Sequence, residues 1–587
     1  REAMTAEPVA APAKASSHVL LTVLGTNPRA ACYSLAGRTC EAILAPLALL
    51  RLLPSEERPD CVIALCTQEA GRDSLPLLME QLPPGIGLKE VAVPSGDSQA
   101  DINTFLTRAT EAIPRRGGEP LQLTLDVTHG FRHFSFLTYL AGLYLVSLRD
   151  LQLRGAWYGL LRQGEMSPFL DLRPLLELPR WMHALQVLAD TGSALPMAEA
   201  LEMRDASQEA ATMARELRAI SQGYLSGLPM ELGRQVALFR AQRLKGLRKL
   251  LRARHQLPLA AELVSQLDGL LQPFELQGHG HRSGWKAKLP LTLDELQRQG
   301  RIIDALFRHG DDGMAVGLLD EWTVSWAAWC LDDCQDWLKF PRRRFAAGQL
   351  GALKGAAADD DLKLLLTAEQ QQLGLFWGFL TSLRNGYHHH GMRPEDLISN
   401  TKVSKELQQV RSYWEATLRA CPRLSLSVDG ASDATLLVSP IGNRPGVLSS
   451  ALHACRNPDR ADPAVCLVIC STQSQPFIAE AVSKADYQGE IVPLLLEDPH
   501  GGHAEIRTLS RQARQPLFRA GEVFVNITGG TTLMGLAAQA LANQAARFTR
   551  PVHRFGLIDR RPPGEQDADP YQVGEPFWLQ DSEEADY

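Results

Sequence analysis

The chain has 587 residues, 45% hydrophobic and 22% charged, with a formal net charge of −7 and a pI near 6.1. At roughly 100–200 residues per domain this length implies about three to five domains, each with its own core. The composition excludes collagen-like, disordered and disulfide-stapled classes. The mild acidity excludes a general nucleic-acid coat protein but not an enzyme with a local basic cleft.

The chain opens on an Ala/Pro-rich stretch, Arg1–Ser17, which lacks the apolar core of a secretory signal; Met4 reads as the natural start. The first apolar run, His18–Leu24, meets Gly25-Thr-Asn-Pro28 and reads as a buried strand, a glycine turn and then a helix. A second buried strand, Cys61–Gln68, ends at a Thr-Gln pair. Leu125-Asp-Val-Thr-His-Gly130 is a third strand end, followed by a helix over Phe134–Leu148. The apolar run Phe136–Leu148 is shorter than the roughly 20 residues of a bilayer span.

From about Pro174 to Ala420 the texture changes to long Leu/Ala/Arg/Gln-rich segments with helical periodicity, such as Met197–Gln222, Arg234–His255 and Leu291–Arg308. Gln277–Pro290 is Gly/His-rich and reads as a loop. Two basic stretches, Arg240–Arg254 and Arg342-Arg-Arg344, read as solvated faces, with RNA guidance as the lesser alternative. Cys330 and Cys334 lie one helical turn apart without a second pair to complete a zinc site, so the ten cysteines read as reduced thiols.

After a linker at Pro422–Asp433 the opening pattern returns. Ala434–Ser439 meets Pro440-Ile-Gly-Asn443, Cys466–Gln473 again ends at Thr-Gln, and Val525-Asn-Ile-Thr-Gly-Gly530 precedes a helix over Leu533–Ala545. Three matched elements in one order predict two α/β domains with mainly parallel sheets and helices on both faces, flanking an all-α region. Such sheets bind ligands outside the carboxyl ends of their strands, where all three motif pairs fall. Gly25, Gly130, Gly442, Gly529 and Gly530 would let backbone approach a ligand, and the following helix N-termini would offer N–H groups to phosphates. Thr26, Asn27, Thr128, His129 and Arg132 would add contacts in the first domain, and Asn443, Thr528, Thr531 and Thr532 in the second. The plainer alternative is that these are tight turns closing strands.

Within the all-α region, Leu373, Phe376, Leu380, Leu383 and Tyr387 recur at three- and four-residue spacing and form a buried helix stripe. At its end stand Arg384, Asn385 and the histidines His388, His389 and His390. An arginine and a histidine suit RNA cleavage without a metal: histidine transfers protons near neutral pH, and arginine holds a phosphate with forked donors. An exposed histidine run is the alternative; a metal site fits poorly, because consecutive histidines do not share a helix face.

Arg384-Asn385-x-x-x-His389-x-Gly391 resembles the R-x4-H signature of HEPN ribonucleases, especially those of type III CRISPR effectors. Asp126-Val-Thr-His-Gly-Phe-Arg132 resembles the turn of their CARF domains, and Trp157-Tyr-Gly159 followed by Pro168–Asp190 resembles the passage from CARF to helical domain. The resemblance covers most of residues 18–420; Asn526-Ile-Thr-Gly-Gly-Thr531 resembles a CARF turn of another subtype.

This resemblance implies an N-terminal CARF domain over 18–175, a helical HEPN ribonuclease domain over 176–425 and a C-terminal CARF domain over 430–587. The missing signal and spanning run read as a cytoplasmic protein without membrane contact. The resemblance implies a homodimer, or a higher assembly, that works without a metal and binds cyclic oligoadenylate, with cyclic tetra-adenylate as the preferred ring. It implies cleavage of single-stranded RNA to 2′,3′-cyclic phosphate ends, with Arg384 holding the scissile phosphate, Asn385 orienting the motif and His389 as acid/base. On an ideal helix Arg384 shares a face with His388 while His389 lies about 140° away, so His388 stays as the alternate. A second CARF domain departs from the usual single one. The two could pair within a chain or between chains, and one could degrade the activator. The competing function is a non-catalytic cyclic-nucleotide sensor acting on a partner protein. A dinucleotide-dependent enzyme fits poorly, since no G-x-G-x-x-G follows either first strand.

Overall fold

The computed structural model describes residues 18–113, 121–148, 151–162, 164–253, 257–277, 284–332, 334–390, 392, 400–427, 434–456, 462–498, 501–548 and 550–579. Arg1–Ser17, Gly391, residues 278–283 of the Gly/His-rich stretch and residues 428–433 of the linker lie outside them. Packing divides the chain into two compact units, Arg1–Gln222 with Gln235–Gln272, and Gly223–Arg234 with Pro273–Tyr587.

The first unit holds strands β1 (His18–Val23), β2 (Ala31–Leu35), β3 (Arg38–Ala42), β4 (Cys61–Cys66), β5 (Gly87–Ala92), β6 (Gln122–Asp126), β7 (Gln152–Gly159) and β8 (Ser167–Asp171). They form one sheet in the order β3-β2-β8-β7-β6-β1-β4-β5. The central pairs β1–β4, β1–β6, β4–β5 and β6–β7 are parallel; β7–β8 and β2–β3 are antiparallel. A strand in mid-sheet is covered on both faces, which is why every residue of β1 is buried. Val19, Leu21 and Val23 join one core with Phe105 and Phe134, and Leu20 joins the other with Leu47 and Leu50. Helices therefore cover both faces, as the apolar runs predict.

One expectation fails here. The turn after β1 does not run straight into a helix: the β2–β3 hairpin intervenes before the helix Ala45–Leu52. Ala36 and Gly37 both take positive φ, +50° and +80°, which fits a two-residue primed turn. The helices that follow are Arg173–Thr191, Leu195–Arg204, Gln208–Leu225, Pro229–Gln242, Leu244–Arg252 and Ala260–Leu271. The expected helix over Met197–Gln222 is two, split where Asp205 Oδ1 accepts the Ser207 N–H and Ser207 Oγ accepts the Ala210 N–H. Arg234–His255 likewise divides at Arg243.

The second unit carries β9 (Thr435–Pro440), β10 (Val465–Ser471), β11 (Glu490–Leu496), β12 (Glu522–Asn526), β13 (Val552–Ile558) and β14 (Glu575–Leu579), in the order β11-β10-β9-β12-β13-β14. In chain order this repeats β5-β4-β1-β6-β7-β8, including the final antiparallel strand. The sheet repeat read from three short motifs thus extends to six strands.

The same unit holds the helices Leu293–Arg308, Asp312–Cys330, Phe340–Ala357, Ala368–His388 and Asn400–Ala416. Ala368–His388 starts at a capping box formed by Thr367 and Gln370. Leu373, Phe376, Leu380 and Leu383 are buried along it, as the periodicity predicts, while Tyr387, expected in the same stripe, is half-buried. It lies close against Phe340–Ala357: a Cβ on Gly374 would stand 2.5 Å from the Leu353 carbonyl oxygen. No described helix is long and apolar enough to cross a membrane.

Candidate functional site

At the carboxyl end of the first sheet, Asp126 closes β6 and is fully buried. Its Oδ2 accepts from Thr22 Oγ1 on β1 at 2.8 Å, and its Oδ1 accepts from the N–H (3.1 Å) and hydroxyl (2.5 Å) of Thr128. The Thr128 oxygen in turn accepts the Gly159 N–H at the end of β7, at 2.8 Å. The second sheet builds the same stitch from other atoms. Asn526 Nδ2 donates to Ser439 Oγ on β9 and to the Thr528 carbonyl, both at 3.0 Å, and its Oδ1 accepts the Thr528 N–H at 2.9 Å. Thr528 Oγ1 accepts the Leu557 N–H on β13 at 2.8 Å. Asp126 with Thr128, and Asn526 with Thr528, thus hold three strand ends together.

In both sheets the glycine after the first strand meets the Thr-x-Gly turn. A Cβ on Gly25 would lie 3.4 Å from Gly130 N, and one on Gly442 would lie 2.8 Å from Gly530 Cα. Gly130 has φ +96° and Gly530 φ +70°, so both need glycine. Between these glycines and the threonines the domains diverge. In the first, His129 Nε2 accepts the Ala45 N–H at the start of the helix Ala45–Leu52, at 2.8 Å. Burial pushes the His129 imidazole below its ordinary value, with the Asp126 charge opposing. His129 is therefore neutral, with its proton on Nδ1. In the second, the matching Gly529 has φ +110°, and a Cβ there would meet Val447 Cγ1 at 2.8 Å.

A cavity of about 700 Å³ opens at this second strand end. Of the expected contacts, Gly442, Asn443, Gly529, Gly530 and Thr531 line it, with Arg444, Ser471, Thr472, Gln473, Glu497 and Met534; Thr528 and Thr532 are not among its lining residues. Its size suits a nucleotide-sized ligand. Thr531 caps the helix Thr532–Arg547, accepting the Met534 N–H, so a positive helix end faces the space. The lining by Ser471, Thr472 and Gln473 was visible as the repeated Thr-Gln strand end; Arg444 and Glu497 had no signal. In the first domain Thr26 is half-buried, while Asn27 and Arg132 are exposed. The hairpin adds an unexpected neighbour there. Among the described residues the buried Tyr33 hydroxyl has no hydrogen-bond partner, and burial, then Asp126, push its phenol up to about 12.

The helix Thr532–Arg547 also reaches a second surface. Its residues Ala540, Asn543, Gln544 and Arg547 line a crevice of about 490 Å³ with Gly355, Ala358, Asp359 and Leu362. Arg514 pairs with Asp359 across it. One helix therefore runs from the cavity to the end of Phe340–Ala357, which packs along the Arg384 helix.

That helix ends at His388, with His389 as its cap at φ −91° and ψ 7°. The ideal-helix angle therefore stops applying at His389. The Arg384 side chain is 41% exposed; its Nε lies 4.0 Å from Asp320 Oδ2, and its Nη1 donates to Asn385 Oδ1 at 3.2 Å. The rings of His388 and His389 stand edge to face, 5.5 Å apart. His388 is exposed and His389 half-buried. The structure thus gathers the four expected residues at one helix end and adds Asp320 from Asp312–Cys330. Burial pushes the Asp320 carboxyl up to about 6, with Arg384 opposing. Among the described residues no group of three or more His, Cys, Asp or Glu could hold a metal ion. In the basic stretch, Arg240 and Arg243 pair with Asp268 and Glu216, while Lys245, Arg248, Lys249 and Arg252 face solvent.

No protein-family profile matches the chain. Over 114 residues, 19% of this chain and 18% of the relative, it is 26% identical to the CRISPR-associated protein MJ1674 of Methanocaldococcus jannaschii. The match therefore spans less than a fifth of that relative's length. Among solved structures it is similar to Enterococcus italicus Csm6 bound to cyclic hexa-2′-fluoro-hexa-dAMP, at 11% identity over 70% of this chain and 96% of that chain, with a TM-score of 0.33.

Proposed function

We propose that this chain is a CRISPR-associated ribonuclease of the CARF–HEPN kind, switched on by a cyclic oligoadenylate. The observation that carries the reading is a core helix whose last turn presents a half-exposed Arg384 guanidinium and which ends in two imidazoles in ring contact, His388 and His389. The local likeness to a CRISPR-associated protein agrees with it.

The chemistry follows from those groups. A histidine takes the proton from a ribose 2′-OH, and the 2′-oxygen attacks the adjacent phosphorus. Arg384 donates to the phosphate oxygens as negative charge builds on them. The bond to the 5′-oxygen breaks as that oxygen gains a proton, leaving a 2′,3′-cyclic phosphate and a 5′-OH. His389 is the acid/base, with His388 as its alternate. One set per chain supplies one arginine, so a homodimer brings two sets to one cleft. No step calls for a metal.

The activator class follows from the cavity at the second strand end: glycine backbone, a helix N-terminus and small polar side chains suit phosphates and ribose. Cyclic tetra-adenylate is the preferred ring. Binding there draws on the helix Thr532–Arg547, which bears on Phe340–Ala357 and through it on the Arg384 helix; the ligand shifts that equilibrium only by binding the active arrangement more tightly. One α/β domain senses the ring, and the other senses or degrades it. The test is cleavage of labelled single-stranded RNA in EDTA with cyclic tetra-adenylate. Cyclic-phosphate ends, and resistance of a 2′-deoxy linkage, are the expected results. Ring binding without cleavage favours a sensor that acts on a partner protein.

A further inference from the structure

Among the described helices of the second unit, two arginine-paired carboxylates with little exposure, Glu295 and Asp320, differ in kind. Glu295 and Arg298 are 6% and 3% exposed. Glu295 Oε1 accepts from Arg298 Nη2 at 2.6 Å and from Gln299 Nε2 at 2.7 Å, and its Oε2 accepts from Arg298 Nε at 2.8 Å. The remaining Arg298 Nη1 donates to the carbonyls of Pro229 and Phe274. Both partners are fully hydrogen-bonded, as a structural ion pair requires.

Asp320 follows the opposite pattern. Its side chain is 13% exposed, yet its one ion pair among the described residues is the 4.0 Å approach to Arg384 Nε, and no hydrogen bond to it is found there. The charged groups reaching it are Arg384 from Ala368–His388, Arg343 from Phe340–Ala357 and Glu321 on its own helix. Arg343 is already engaged, donating to Glu321 Oε2 and to Ser325 Oγ. Arg384 is therefore the cation left to answer Asp320. A carboxyl buried at such cost without donors is a mark of a site rather than of packing.

The geometry divides the guanidinium. Its Nε side faces Asp320 and its Nη1 meets Asn385 Oδ1, while the side chain as a whole stays partly open to solvent. We propose that Asp320 is a positioning residue that aims the Arg384 guanidinium so that its outer fork faces a substrate phosphate. This rests on the reading of Arg384 as the phosphate-holding group. The hold is electrostatic and belongs to the ionised carboxylate. Because the carboxyl is pushed up to about 6, the hold is present above that pH and is lost as pH falls through it.

The test compares wild type, Asp320→Asn, Asp320→Glu and Arg384→Ala in the full chain. Phenylglyoxal modification of Arg384, read by peptide mass spectrometry without RNA or activator, is followed from pH 5 to pH 8. Removing the carboxylate makes the guanidinium easier to modify, so the Asp320→Asn to wild-type rate ratio is about threefold or more at pH 8 and falls to about one at pH 5. With cyclic tetra-adenylate and RNA, Asp320→Asn loses about 10- to 100-fold in kcat with KM within about threefold, and Asp320→Glu recovers part of it. A modification ratio of one at every pH overturns the proposal, even if Asp320→Asn is inactive, because the residue then acts through packing. A wild type that cleaves no RNA overturns the ribonuclease reading instead, while the modification ratio still judges whether Asp320 holds Arg384.

Discussion

The two strand-end turns, Asp126-Val-Thr-His-Gly130 and Asn526-Ile-Thr-Gly-Gly530, share a frame and differ in contents. Both tie three strands, one neighbour through the Asp126 or Asn526 side chain and the other through a threonine hydroxyl, and both press a glycine against a glycine. A carboxylate that only accepts makes the stitch in the first, and an amide that donates and accepts makes it in the second. The first then fills the turn with His129 bonded to a helix start, whereas the second leaves glycine and opens onto a cavity. The comparison teaches that the stitch is scaffold, while the space beside each turn is set by the residue between threonine and glycine and by the walls beyond it. The second turn also shares its compact unit with the Arg384 helix.

Exchanging the stitching residues is the most severe way to break this comparison. Asn526→Asp sets a buried carboxylate oxygen against the Thr528 carbonyl where Nδ2 now donates; a loss of about 2–4 kcal/mol in denaturant unfolding is expected. Asp126→Asn is milder, about 1–2 kcal/mol, because the Thr22 hydroxyl can turn to accept from the new amide. Equal costs would mean that the two turns are not held by these bonds.

The cavity is tested next. Thr472→Trp places an indole at its exposed rim, and affinity for labelled cyclic tetra-adenylate is expected to fall about tenfold or more with the unfolding transition unchanged. His129→Ala is expected to leave that affinity within about threefold. The reverse pattern would move the activator to the first domain. The smallest effect concerns the link: Arg514→Ala removes the pair with Asp359. It should weaken stimulation of RNA cleavage by about three- to tenfold, in line with couplings of ~0.5–2 kcal/mol, while activator affinity holds. Unchanged stimulation would break the proposed route through Thr532–Arg547.

Much of this frame was legible in the sequence because strand ends in a parallel sheet need unbroken apolar runs followed by glycine turns. His18–Pro28 and Ala434–Asn443 both show that pattern. The Arg384 helix was legible too, since its buried stripe repeats at helical spacing. The β2–β3 hairpin was missed: Gly25–Pro28 was read as a turn leading to a helix, and the Ala36-Gly37 turn that follows it carried no reading. The break at Asp205–Ser207 hid inside an otherwise continuous helical pattern, where local side-chain bonds outweighed periodicity. Asp320, Arg444 and Glu497 could not be read at all. Tertiary packing alone brings them to their sites, and an isolated acid or arginine on a helix or loop carries no mark of its partner.

The central claim is that Arg384 and His389 cleave RNA when a cyclic adenylate is bound. The most direct measurement is single-turnover cleavage of a labelled single-stranded RNA in EDTA by wild type, Arg384→Ala, His388→Ala and His389→Ala, with a panel of linear and cyclic adenylates. The account predicts cleavage with a cyclic ring alone, a loss of about 1,000-fold or more in Arg384→Ala and His389→Ala, and a lesser loss in His388→Ala. Cleavage that persists in Arg384→Ala, or that proceeds equally without any ring, would contradict it.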